Sequence, residues 1–113
     1  MLTSGDVIDL DLGVPAGSEA GFRHPAVVVT AQRLLDAAPS VVQVVPLTTT
    51  IRGFASEVRI APDDAGVEEP SAAQCQHVRA VSTVRADRVR GNIGTVALAQ
   101  IRDVIGLVLD IPS

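Results

Sequence analysis

Phe22 and Phe54 are the only aromatic residues in a chain of 113, which has neither Trp nor Tyr. Any core must therefore be assembled from Val, Ile, Leu and Ala. The many β-branched side chains among them suit pleated, half-buried surfaces. Hydrophobic residues make up 47% of the chain, too many for a disordered polymer. A chain of this size can bury roughly two thirds of its unfolded surface without staples, and its length predicts one domain spanning residues 1–113. The lone Cys75 rules out a disulfide within the chain and any paired-cysteine zinc motif, and it reads as a small buried residue. Residues near the start are acidic, unlike a basic leader. No apolar run approaches the ~18 residues of a membrane span, so a cytoplasmic protein without membrane partners is expected.

Hydropathy patterning predicts several short strands. Residues 5–12 alternate, with Ile8, Leu10 and Leu12 on one face and the acids on the other. Residues 13–21 read as a loop, and 25–30 as a buried strand. Residues 32–38 can form one or two helical turns before Pro39. Residues 40–48 are the clearest strand, with Pro46 marking an edge or a bulge. A turn at 51–55 leads to a strand at 56–60, then an acidic loop at 61–70 bounded by Pro62 and Pro70. Residues 72–81 fit one or two short strands, Ser82 can cap a helical turn reaching Asp87, and 89–93 fit a strand. The last element is a helix. Leu98, Ile101, Ile105 and Val108 recur at helical spacing, Thr95 is the expected N-cap, and Gly106 is a weak point unless it permits close packing. The fold class is mainly β with a C-terminal helix (α+β), best arranged as a small, partly open β-barrel.

The formal charge of −4 taken alone argues against a nucleic-acid partner. Its distribution softens that argument. Every basic residue is Arg, and residues 70–102 hold Arg79, Arg85, Arg88, Arg90 and Arg102 against the single acid Asp87. Arginine grips phosphate through a planar fork of donors. A set of solvated surface arginines would read the same.

Three segments, in order, resemble the MazF/PemK toxin family. The first is Gly5 and Asp6 opening a strand, then Gly17, Ser18 and Glu19, then PAVVV at 25–29. The second is VVPLTTT at 44–50 with RGF at 52–54 and SEV at 56–58. The third is QHVRAV at 76–81, leading to Arg88 and Gly94. The resemblance covers nearly the whole chain. It implies an SH3-like, MazF/CcdB-type barrel that forms a homodimer. It also implies metal-independent, sequence-selective cleavage of single-stranded RNA without a cofactor, leaving 2′,3′-cyclic phosphate and 5′-hydroxyl ends. A cognate antitoxin with an acidic, disordered tail would block the RNA groove.

Such cleavage needs a proton acceptor for the ribose 2′-hydroxyl, a proton for the leaving 5′-oxygen, and donors for the charged phosphorane. Thr48 matches the family's catalytic Thr. The family's catalytic Arg directly precedes the Pro-Ala-Val-Val strand, but here that position is His24, with Arg23 before it. Three readings stay open: His24 as general acid or base, Arg23 turned into the site, or a weakened site. Gln76 and His77 are candidates for hydrogen-bonding unstacked bases, or else the polar face of a strand. The RNA-contacting set implied is completed by Ser18, Glu19, Arg52 and Arg79. Two other functions compete: a CcdB-like gyrase-binding toxin, and a degenerate relative that only dimerises and binds antitoxin.

Overall fold

A computed structural model describes residues 1–11 and 23–112. The expected loop at 13–21, including Ser18 and Glu19, lies outside the described residues, as does Phe22. The elements run β1 (Asp6–Asp11), β2 (Arg23–Val28), α1 (Gln32–Leu35), β3 (Val41–Thr48), β4 (Glu57–Ile60), α2 (Pro62–Ala65), β5 (Ser71–Gln74), β6 (Arg79–Ser82), β7 (Ala86–Asn92) and α3 (Gly94–Val108). All the strand pairs are antiparallel. They form a sheet in the order β4-β5-β3-β2-β1-β7, with β6 also on β3, so the sheet is open between β4 and β7.

β3 occupies the centre. One edge pairs with β2 from Val44 to Pro46. The other edge pairs first with β6, along Val41 to Val44, and then with β5, at Leu47 and Thr48. Pro46 therefore does not mark a sheet edge. The Val29 N–H donates to the Gln43 carbonyl at 3.0 Å, which sets the phase of the β2–β3 ladder. Antiparallel pairs alternate between bonded and unbonded, so odd positions of β3 bond toward β2 and position 46 faces away from it. Its missing N–H thus falls where β3's second neighbour changes from β6 to β5. Opposite that gap, the chain between β5 and β6 leaves the ladder as a 3-10 turn over Cys75–His77.

The sheet is covered on both faces. Val7, Val27, Val45, Leu47, Val58 and Ile60 pack beneath α3 through Leu98 and Ile101. Ile8, Leu10, Ala26, Val28, Val42, Val44 and Val81 form the second layer with Leu35 of α1. Asp6 and Asp9 of β1 are buried, because both layers cover the strand, while Asp11 at its end is exposed. Asp6 accepts from the Thr3 N–H at 2.8 Å and from Asn92 Nδ2 at 3.0 Å. Asp9 is held by Arg88 Nε at 3.3 Å and Arg90 Nη1 at 3.4 Å.

Three local expectations change. The acidic stretch at 61–70 contains the helical turn α2, started by Pro62 and stopped by Gly66 at φ +70. Thr95 is not the N-cap of α3: Asn92 Oδ1 accepts the Gly94 N–H at 2.8 Å, so the helix starts before Thr95. Gly106 does not mediate close packing, since a Cβ there would meet nothing within 4 Å. Ser82 does cap a short turn, accepting from the Val84 N–H at 3.4 Å, but the turn stops at Arg85. α3 closes with Asp110 in the left-handed region at φ 54 and the Ile111 N–H on the Gly106 carbonyl at 2.8 Å.

Gly66 is where a side chain cannot be added. A Cβ would lie 2.3 Å from the Arg90 carbonyl oxygen, against the backbone of β7. We expect Gly106→Ala to stabilise the protein by about 0.5–1 kcal/mol through helix propensity. Gly66→Ala should destabilise it by more than about 1 kcal/mol. Urea midpoints at an unchanged m-value measure both. A loss of stability in Gly106→Ala would mean that α3 packs on something at that position.

Candidate active site

The break in the ladder beside Pro46 opens onto a cleft of about 630 Å³, lined by His24, Pro46, Gln74, Gln76, His77, Val78 and Arg79. His24 comes from β2, where it pairs with Leu10 of β1. On the other side, β2 pairs with β3 through Ala26–Pro46, Val27–Val45 and Val28–Val44, and the ladder ends before His24 and Thr48. Positions 24, 26 and 28 share a face of β2, and positions 44, 46 and 48 share the same face of β3. His24 and Thr48 therefore belong to one face of the sheet by alternation, and His24 lines the cleft while Thr48 is not among its lining residues. The pleat places position 23 on the opposite register from 24. Arg23 opens β2, its backbone paired with Asp11.

The neighbouring proline explains how His24 is held. The ladder phase makes Pro25 and Leu47 a bonded pair, but Pro25 has no N–H to give to the Leu47 carbonyl. The His24 side chain bonds the Leu47 backbone, where the imidazole supplies the donor that the proline lacks. Burial lowers the His24 pKa below its usual 6.5, and the Leu47 bond opposes that only in part. The imidazole is therefore neutral at pH 7. One ring nitrogen carries the proton given to Leu47, and the other is an acceptor.

Thr48 ends β3 half-buried, paired with Ala72 of β5. Its Oγ1 accepts the Thr50 N–H at 3.1 Å. That bond orients the oxygen and leaves the hydroxyl proton able to donate outward. Gln76 and His77 stand on the 3-10 turn rather than on a strand. The turn brings both to the cleft with Arg79, the first residue of β6. Gln76 Oε1 is buried without a hydrogen-bond partner among the described residues, an acceptor that a donor could satisfy. Arg52 lies in the exposed β3–β4 connection and is not among the residues lining the cleft.

The arginine-rich stretch resolves mostly into structural contacts. Arg85 donates to the Asp11 carbonyl at 3.2 Å, and Arg88 and Arg90 hold Asp9. Arg102 reaches from α3 to the Val29 carbonyl at 3.2 Å and to Ser4 Oγ at 3.2 Å. Of that stretch only Arg79 lines the cleft. Cys75 is buried, and burial pushes its thiol up to about 11, so it is a packing residue of the turn and not a nucleophile. No three His, Cys, Asp or Glu side chains gather as a metal site among the described residues. No described helix is long and apolar enough to cross a membrane.

Sequence reasoning missed two residues. Gln74 lines the cleft, and alternation from Gln76 was its only signal, broken by the 3-10 turn. Glu57 lies next to it, paired with Gln74 across β4 and β5. Its carboxylate takes backbone N–H groups of the preceding turn, which no local spacing announced.

The family model described as the PemK-like, MazF-like toxin of type II toxin–antitoxin systems matches residues 3–109. The Endoribonuclease MazF9 of Mycobacterium tuberculosis is 31% identical over 118 residues, covering 100% of both chains. Among solved structures, a MazE–MazF crystal structure (Form II) from Deinococcus radiodurans superposes with a TM-score of 0.82 at 23% identity, covering 98% of this chain and 97% of that one. The Mycobacterium tuberculosis toxin MazF-mt6 gives 0.79 at 21% identity over 96% and 99% of the two chains. A mycobacterial endoribonuclease in complex with its cognate antitoxin gives 0.79 at 18% over 100% and 99%. The matched family model spans nearly the whole chain and the curated relative is similar from end to end, so the chain belongs to the PemK-like, MazF-like toxins of type II toxin–antitoxin systems.

Proposed function

We propose that this toxin is a cytoplasmic, metal-independent endoribonuclease, acting as one domain and as a homodimer on single-stranded RNA. The observation that carries the reading is the cleft lined together by His24, Gln76, His77 and Arg79, with Thr48 on the same face of the sheet as His24. The acceptor nitrogen of His24 takes the ribose 2′-hydroxyl proton as O2′ attacks phosphorus. The P–O5′ bond breaks, and the imidazolium returns the proton to the leaving 5′-oxygen. Thr48 Oγ1–H and Arg79, which lines the cleft, donate to the phosphorane oxygens, and Arg52 binds a neighbouring phosphate. Gln76 and His77 hydrogen-bond the flanking bases, with Ser18 and Glu19 contributing from the first loop. The products are a 2′,3′-cyclic phosphate and a 5′-hydroxyl. The curated relative's endoribonuclease activity supports cleavage over a gyrase-binding toxin or a cleavage-dead relative.

The natural inhibitor is a cognate antitoxin whose acidic, disordered segment folds into the RNA groove. The family's place in toxin–antitoxin systems and the MazE–MazF and antitoxin complexes of its structural neighbours support this.

Incubation with mixed single-stranded RNA in EDTA should yield cyclic-phosphate ends. Thr48→Ala and His24→Ala should each lower kcat by ~10²-fold or more. A loss in Arg23→Ala with full activity in His24→Ala would move the proton-transfer role to Arg23. Absence of cleavage by the wild type over a broad substrate set would end the nuclease reading.

The direction of the His24 shift sets the pH profile. The base must be neutral to act, and its pKa lies below 6.5. Thus kcat/KM should be flat from pH 7 upward through the neutral range and should fall on acidification only below 6.5. That acid limb should be missing from the residual activity of His24→Ala. A limb centred above 6.5 would assign the step to another group.

A further inference from the structure

The connection between β3 and β4 is tied at both ends. At the β3 end, Thr48 Oγ1 accepts from the Thr50 N–H at 3.1 Å. At the β4 end, the Glu57 carboxylate turns back over the loop. Glu57 Oε1 accepts from Gly53 N–H at 2.8 Å, Arg52 N–H at 3.2 Å and Phe54 N–H at 3.2 Å. The Glu57 N–H donates to the Phe54 carbonyl at 3.0 Å, closing the ring. Gly53 lies at φ +76, the left-handed geometry that lets successive amides converge on one anion. A buried packing role does not account for this, because Phe54 is 54% exposed and Arg52 is exposed as well. The loop is thus ordered by a charge-assisted backbone cradle while its two largest side chains face solvent. Glu57 is also opposite Gln74, which lines the cleft, so the cradle stands at the cleft's β4 flank.

We propose that Glu57 is a positioning residue for RNA binding: its carboxylate holds the loop at 52–54 so that Arg52 meets a phosphate and Phe54 stacks on an unpaired base beside the cleft. This rests on the endoribonuclease reading and adds to it a binding arm preformed by an anion of the protein's own. Fixing the loop in advance removes the ordering cost that RNA would otherwise meet on binding. The role lies in binding and not in chemistry, because Glu57 is engaged with backbone amides and reaches no reacting atom through them.

The test compares wild type, Glu57→Ala, Glu57→Gln, Arg52→Ala and Phe54→Ala. Cleavage kinetics are read on the RNA that the wild type cuts, and affinity is read by anisotropy on a labelled random-sequence 2′-O-methyl RNA, which cannot be cleaved. Glu57→Ala should raise KM and the 2′-O-methyl Kd by about tenfold, with kcat within about twofold. Glu57→Gln keeps one acceptor oxygen and should recover part of that loss. Arg52→Ala and Phe54→Ala should weaken binding similarly in wild type and have little further effect in a Glu57→Ala background. Faster amide hydrogen exchange at 52–54 in Glu57→Ala, with the rest of the protein unchanged, should accompany the affinity loss. An unchanged KM and Kd in Glu57→Ala, or a loss confined to kcat, would overturn the proposal. If the wild type cleaves nothing, the nuclease reading fails, and the anisotropy series still decides whether Glu57 organises a nucleic-acid-binding loop.

Discussion

The third strand has more neighbours than one edge can serve, and the way it divides that edge shapes everything near the cleft. β2 lies along one side, while β6 and β5 share the other. At the hand-over stands Pro46, the one residue type that offers no N–H to a ladder. The opposing chain is released there and curls into the turn that carries Gln76 and His77. A second proline, Pro25, leaves the Leu47 carbonyl without its backbone donor, and the adjacent His24 supplies one from its ring. Two missing N–H groups, on neighbouring strands, thus create both the opening and the orientation of the imidazole beside it.

The electrostatics follow from how few arginines remain available. An acidic chain that binds a polyanion must keep its positive charge local. Here β1 absorbs much of the basic stretch, since Asp9 and the Asp11 carbonyl engage Arg85, Arg88 and Arg90, and Arg102 fastens α3 to the end of β2. These contacts join the first strand, the last strand and the last helix. At the cleft the remaining functional groups are mostly neutral hydrogen-bonders, with Arg79 the cation among the lining residues. A site of this composition favours recognition of base edges over indiscriminate capture of phosphate, because only charge neutralisation of the backbone is independent of sequence. The lowered basicity of His24 fits the same environment: a half-buried ring resists becoming a cation even where an anionic substrate would welcome one.

Much of the fold could be read along the chain. Alternation in 40–48, the apolar run at 25–30 and the helical spacing of Leu98, Ile101, Ile105 and Val108 each lie within a single element, so local periodicity reports them. The candidate residues His24, Thr48, Gln76, His77 and Arg79 were also within reach, through motif resemblance. Errors arose where partners are distant in sequence. Asp6 and Asp9 looked solvated because Asn92, Arg88 and Arg90, which hold them, lie about eighty residues away. Thr95 looked like a cap because Asn92's outward reach to Gly94 is a matter of backbone path and not of composition. Glu57 gave no sign of gathering the amides of Arg52, Gly53 and Phe54, since that cradle depends on the exact turn of the loop.

Residue order alone was enough to specify a strand-rich chain ending in a helix and to supply a threonine, a histidine and arginines suited to phosphate chemistry. That information is local: it resides in periodicity, in turn-forming residues and in short motifs. Which of Arg23 and His24 shares a face with Thr48 was settled by strand register, because a single step along a pleat moves a position to the other side of the sheet. Likewise, only the assembled sheet decided which arginines are engaged by the fold and which one lines the cleft, because an ion pair is chosen by distance in space and sequence separation says nothing about it.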